Sequence, residues 1–550
     1  MSGRVASDRS NGFMPTMRDP DVDIESQLVD CVLSGELLDL AGAETVDESA
    51  MRSWDDSRTV QANLIREILR GRRATSADPR GLRLRGARIA GRLDLENLTA
   101  AVALELQDCF LPDGIIARDA ALPGLALDGC LIEHPAEPPL AADRLRSAAG
   151  VSLVGSVVIA AATAGAVRLA AAHIGGQLDC SAARIRNRLG PALNADSVHV
   201  DQSVFLRRGF DAAGAGETGT VNLSGAQIGG QLDCSGAQIQ NQSGPALNGD
   251  CLQVEHGMYL HNGFEAVGTG GGGAVRLLGA HIGVQLTCRG AKIRNGSGPA
   301  LAADRAHIDG SVNVGDGFEA NGAGQYGAVR LPGVQIGGRL GLSLNGVQNE
   351  SDPQSRLLLD GLTYGGVPIG PSIDDLLGLL RHGTPVYAAQ PYQQLAAGHR
   401  AAGHDRDVRR ILMEQRRHQI QAKTTTGKGA RAWARLTGLT LGYGYQPWRA
   451  LIGLLAVLIT AVALCVLAGD GLTHTRNSTT SGTACTSVER VGVGLDLGLP
   501  LIKTDARTQC DLTATAAGQW LTVAGWVLQL LAWGFATLFI AGFTGAVRKT

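Results

Sequence analysis

The chain has 550 residues, with 49 Lys and Arg against 51 Asp and Glu, 75 glycines and only 4% aromatic residues. A formal net charge of −2 argues against a basic nucleic-acid binder and against an acidic mimic of nucleic acid. Cys31, Cys109, Cys130 and Cys251 form no CxxC pair and no Cys/His spacing of the kind that holds a metal.

In chain order, residues 1–22 are polar, rich in Arg, Ser, Asp and Gly, and read as disordered. They lack the apolar run of a secretory signal. Residues 23–75 read as a helical cap, most clearly from Thr59 to Arg70. Such a cap would close the first edge of the strands that follow.

Residues 76–368 read as a β-solenoid. The first coil starts at Gly81-Leu-Arg-Leu-Arg, and regular units follow from Gly165 to about residue 345. Gly165–Cys180 returns as Gly219–Cys234 and as Gly273–Cys288, then fades at Gly327–Leu342, always at the same step and with no insertion. Fixed periodicity is the mark of stacked units that bury their apolar faces only against their neighbours. Within a unit, short apolar alternations such as Val167-Arg-Leu169, Ala172-His-Ile174 and Val204-Phe-Leu206 are separated by Gly, Asn or Asp. A period of two argues strand rather than helix. The bursts suit the faces of a right-handed coil stacking at roughly 4.8 Å. Two four-sided turns or three three-sided turns per unit both fit.

Segments such as Ser224-Gly-Ala-Gln-Ile228 resemble the pentapeptide-repeat class of β-solenoids, although the period of five slips at Gly229-Gly230. Over residues 60–550 the chain resembles a group of bacterial membrane proteins with a degenerate repeat of this type and a two-helix membrane tail. That group often carries the label "membrane-associated oxidoreductase". The resemblance implies an architecture and brings no established activity.

Residues 369–448 return to helix as a second cap and a basic stalk, with ten Lys and Arg against three Asp and Glu between 404 and 449. Residues 449–550 read as a two-span transmembrane domain. Ala450–Ala468 and Trp520–Val547 carry no charge and are long enough to cross a hydrocarbon core of ~30 Å. Tyr443, Tyr445, Trp448, Trp520 and Trp526 sit near the ends as interfacial aromatics. Basic residues before the first span, with Arg548 and Lys549 after the second, assign both termini and the solenoid to the cytoplasm. The loop 469–519 is then external, in a bacterial inner or plasma membrane. Its two cysteines, Cys485 and Cys510, are a candidate disulfide if that compartment is oxidising.

Most conspicuous motifs repeat because the fold repeats. Gly214–Gly219, Gly268–Gly273 and Gly322–Gly327 all match GxGxxG, but each leads into another short strand instead of a helix. Cys180, Cys234 and Cys288 share one position that reads as buried and apolar, with successive sulfurs roughly 10 Å apart across two coils. Asp196, Asp250 and Asp304 read as corner hydrogen-bond acceptors. His173 and His281 share a position with Gln227, which argues against catalysis there. No nucleophile elbow, Walker loop, zincin or kinase signature occurs, so no catalytic, cofactor or metal-binding residue is assigned.

The loops carrying Phe210, Phe264 and Phe318 are the candidate exposed interaction row. The expected function is a membrane-anchored cytoplasmic scaffold without catalysis. Its partners would be the bilayer, a cytoplasmic protein and copies of itself, but no nucleic acid. A pore or mechanosensor is the alternative, because Val491–Pro500 is apolar enough to re-enter the membrane. An oxidoreductase is the disfavoured third.

Overall fold

The computed structural model describes residues 23–343, 345–422, 429, 436–438, 440, 442–443, 445–467, 471–474, 484–498, 505–513 and 515–544. The polar stretch 1–22 and the basic pair Arg548 and Lys549 lie outside the described residues. The chain forms two compact units, Met1–His404 and Asp405–Thr550.

The first unit is a parallel β-solenoid of about 11 turns. Four sheets run along it, of 12, 12, 11 and 9 strands. One coil visits them in order: Leu178–Asp179 on face 1, Arg184–Asn187 on face 2, Leu193–Asn194 on face 3 and His199–Val200 on face 4. The chain then returns to face 1, where Leu178 pairs with Val204, and Val204 with Leu232. Leu178 and Leu232 hold the same place in successive repeat units, so each unit is two four-sided coils.

The alternation inside each strand sets the interior. Leu178, Ile185, Leu193 and Val200 are fully buried, while their neighbours on the strand point outward or to a corner. Backbone ladders between coils satisfy the peptide groups, as in Leu178 N–H donating to Ser203 O at 3.0 Å and Cys180 N–H to Phe205 O at 2.8 Å.

The corner between faces 2 and 3 is built around a buried asparagine. Asn187, Asn241, Asn295 and Asn349 hold one place in successive repeat units and are 3–4% exposed. The Asn241 amide donates to Gly216 O and to Pro245 O, both at 2.8 Å, and its oxygen accepts from Ser243 N–H and Gly244 N–H. One side chain thereby serves four backbone groups that the turn takes out of the ladder. At the corner between faces 3 and 4 the backbone turns left-handed, at Gly225, Cys251 and Gly279 in successive coils. Glycine takes that conformation freely, whereas Cys251 adopts it at a cost.

Both ends of the stack are closed. At the N-terminal end the helices Ile24–Ser34, Glu48–Ser53 and Ala62–Leu69 are joined by short strands. Leu38–Asp39 pairs with Leu82–Arg85, and Thr59–Gln61 pairs with Arg88–Ala90. The expected helix from Thr59 therefore begins only at Ala62, because its first three residues extend face 2. At the far end, the helices Ile373–His382 and Gln390–Ala401 cover the last coil. Gln390 donates to Leu362 O at 2.8 Å and accepts from Gly361 N–H at 3.0 Å, while Gln394 donates to Tyr364 O at 2.7 Å. These amides occupy strand-edge groups that would otherwise recruit another chain.

The second unit contains the helices Asp405–Gln421, Trp448–Leu467, Ser487–Gly498 and Ala516–Phe543 among its described residues. Trp448–Leu467 and Ala516–Phe543 are long and apolar enough to cross a membrane. Leu451, Ile452, Leu455, Ile459, Trp526 and Leu530 stand uncovered along them.

Asn241→Ala is expected to destabilise the solenoid by about 1–3 kcal/mol, because buried donors and acceptors lose their partner. Urea unfolding followed by circular dichroism measures it, and a midpoint equal to wild type contradicts the role of this corner.

Candidate functional site

The structure corrects the expected interaction row. Phe210 and Phe264 are fully buried and Phe318 is 1% exposed. Their loops carry one extra residue relative to the alternate coils: Val204 to Asp211 is seven positions, whereas the aligned Leu178 to Arg184 is six. Left-handed turns at Arg208 and Gly209 direct the ring inward. Ala183 and Ala237 hold the equivalent places in the flanking coils: Asp211 N–H donates to Ala183 O at 2.9 Å and Gln238 N–H to Phe210 O at 2.8 Å. Large and small residues thus alternate along the bore. Two part-exposed aromatic residues, Phe205 and Tyr259, lie on face 1, while the exposed Tyr326 stands at a corner between faces 2 and 3. Arg207 stacks over Phe205 at 3.9 Å and reaches Asp233 at 3.0 Å, and Tyr259 follows in the next coil. Phe205 and Tyr259 are part-exposed neighbours of Asp233 in one register row.

The other repeated positions are structural. Cys180, Cys234 and Cys288 are free and fully buried. Burial pushes the Cys288 thiol up to about 12 and raises those of Cys180 and Cys234 as well. Asp250 and Asp304 pair with Arg276 and Arg330 of the next coil, and Asp143 with Arg168 at 2.9 Å. Those carboxylates are already engaged. The three glycine-rich segments each follow a face 2 strand, such as Asp211–Gly214, and lead to a face 3 strand, such as Val221–Asn222. They lack the helix N-terminus that would receive a pyrophosphate.

Cys485 and Cys510 are joined by a disulfide, with their Cα atoms 6.3 Å apart. It sits in an apolar cluster with Ala461, Cys465, Leu472, Val493 and Leu497. The helix Ser487–Gly498 packs closely on Trp448–Leu467: a Cβ on Gly494 would lie 2.6 Å from Val462 Cα.

Face 4 carries a constellation that local sequence spacing misses. Its outward row reads Arg146, His173, His199, Gln227, Gln253, His281, His307 and Gln335, each paired in register with the next. His173 and His199 stack with ring centroids 4.8 Å apart and planes 6° from parallel. Asp201, two residues after His199, lies 3.0 Å from His199 Nε2 and 3.6 Å from His173 Nε2. The arrangement recurs two repeat units further along. Asp309 lies 2.9 Å from His307 Nε2 and 3.2 Å from His281 Nε2. Aligning single coils, instead of whole two-coil units, would have brought each pair of histidines together in the sequence.

Comparison of the chain with protein-family models, curated proteins and solved structures finds no match.

Phe264→Ala is expected to cost about 3–5 kcal/mol of stability, as for a fully buried ring. A loss under about 1 kcal/mol in urea unfolding contradicts the core assignment. Alkylation of the folded chain, read by peptide mass spectrometry, should modify exposed Cys251 ahead of Cys180, Cys234 and Cys288. The expected margin is on the order of 100-fold, because the core thiols react only when a coil opens.

Proposed function

We propose that this chain is a membrane-anchored scaffold whose cytoplasmic β-solenoid, similar to the pentapeptide-repeat class, presents a protein-binding face. The observation that carries this reading is the joining, in one chain, of a core-filled solenoid to two apolar helices with largely uncovered side chains. Apolar surface of that extent is costly in water and favourable in lipid.

The cysteines support the orientation. The disulfide lies between the two apolar helices, and eight cysteines elsewhere are free. Disulfides form in oxidising compartments and free thiols persist in reducing ones. On this reading the connecting segment is external and the solenoid cytoplasmic, in accord with the basic stalk. The binding face is face 1, where Phe205, Arg207 and Tyr259 offer the aromatic and guanidinium surface typical of protein interfaces.

A pore is the second reading. What favours it is the helix Ser487–Gly498, whose Gly494 and Gly498 pack on Val462 and Leu458 in the interior of an apolar helix. That packing suits a segment that re-enters the membrane.

A membrane-impermeant maleimide should label Cys251 only after cells are permeabilised. Labelling of intact cells overturns the cytoplasmic assignment. Phe205→Asp combined with Tyr259→Asp should abolish in-cell cross-linking to the partner without changing the unfolding midpoint. Retained cross-links would move the binding face elsewhere and favour testing the protein in nanodiscs for a closed ring.

A further inference from the structure

We propose that the His173–His199–Asp201 and His281–His307–Asp309 clusters are two mononuclear sites for a divalent transition-metal ion of the Zn²⁺ class. Both lie on face 4, and the inference does not depend on the membrane-scaffold reading.

The donor atoms are already gathered. In each cluster, two imidazole nitrogens and a carboxylate oxygen lie within 4.8 Å of one another. The Nε2-to-carboxylate distances run from 2.9 to 3.6 Å. An ion with bonds of about 2.0–2.1 Å and tetrahedral geometry needs its ligands roughly 3.3 Å apart. Two imidazoles and one carboxylate suit Zn²⁺, Co²⁺ or Fe²⁺ and leave a coordination position open. The clusters are about half exposed, so ions and a further ligand have access.

The hydrogen bonding of the first cluster points the same way. His199 Nδ1 lies 3.1 Å from Gln227 Oε1 in the next coil. The Gln227 amide oxygen is an acceptor for Nδ1–H in the tautomer that turns Nε2 toward Asp201 Oδ1, 3.0 Å away. A hydrogen-bond acceptor on the far ring nitrogen is the usual way a protein orients a metal-binding histidine.

The sequence pattern separates this from a decorative stack. Three register positions change together. Coils with the pair His173 and His199 are followed by Asp201, and those with His281 and His307 by Asp309. Between them, the same three places hold Gln227, Gln253 and Glu255. The fold accepts glutamine at both histidine positions, so it does not itself require either histidine. The two clusters are four coils apart, roughly 19 Å, so each would bind its ion alone.

The test is titration of the tag-free full-length protein, in detergent or nanodiscs, with Co²⁺ or Zn²⁺ at micromolar concentration. Stoichiometry comes from calorimetry, and imidazole ligation from the visible absorbance of Co²⁺. His173→Gln with His199→Gln should lower uptake by one ion per chain. Adding His281→Gln and His307→Gln should lower it by two, with unchanged circular dichroism. Because glutamine already occupies the equivalent places, these variants are expected to fold. If the Gln variants fail to fold, Asp201→Asn with Asp309→Asn, which keeps all four histidines, should weaken binding at both sites at least tenfold. Uptake that does not fall by one and then two ions, or that is unchanged in the asparagine variant, overturns the proposal.

Discussion

Every feature of the solenoid depends on the backbone ladder between one coil and the next. Parallel strands hydrogen-bond at a spacing of roughly 4.8 Å, so each residue is held directly beneath its counterpart in the coil above. A coil can lengthen only at a corner, and it does so by residues that the corner must absorb. The extra residue before Phe210 is absorbed by two consecutive left-handed positions, and the ring turns into the bore. The same register places His173 over His199, and it would place any other pair of residues at that step equally close.

Stacking in register also decides how polar groups are managed. Inside, Asn241 and its repeats bind corner carbonyls and amides that no strand reaches. Outside, Arg276 reaches back to Asp250 and Arg330 to Asp304, so opposite charges neutralise along the ladder. At the end of the stack, where no further coil follows, Gln390 and Gln394 take the place of the missing strand. A parallel stack left open would offer its edge to a second chain.

The second unit carries two helices whose length and apolar surface suit a lipid solvent. Trp448–Leu467 and Ala516–Phe543 satisfy their backbone groups within themselves and expose apolar side chains. Lipid demands both properties. Glycines at 494 and 498 let a third helix approach the first closely, and the Cys485–Cys510 disulfide closes the connecting segment over the same cluster.

The sequence by itself determined the class of fold and its period. Alternating apolar residues specify strands, the fixed return of Gly165–Cys180 at Gly219 and Gly273 specifies stacking, and uncharged stretches from Ala450 and Trp520 specify two lipid-length helices. Those are one-dimensional patterns, and each maps onto local geometry without knowledge of neighbours. The number of coils per repeat was not legible, because strand bursts fix faces only once their ladder partners are known. Nor was the burial of Phe210, Phe264 and Phe318, since a glycine-flanked aromatic reads alike whether its loop turns inward or outward. The His-His-Asp clusters were invisible for a related reason: His173 and His199 become neighbours only when a coil closes. Tertiary structure decided these points because register, and not sequence distance, sets which side chains meet.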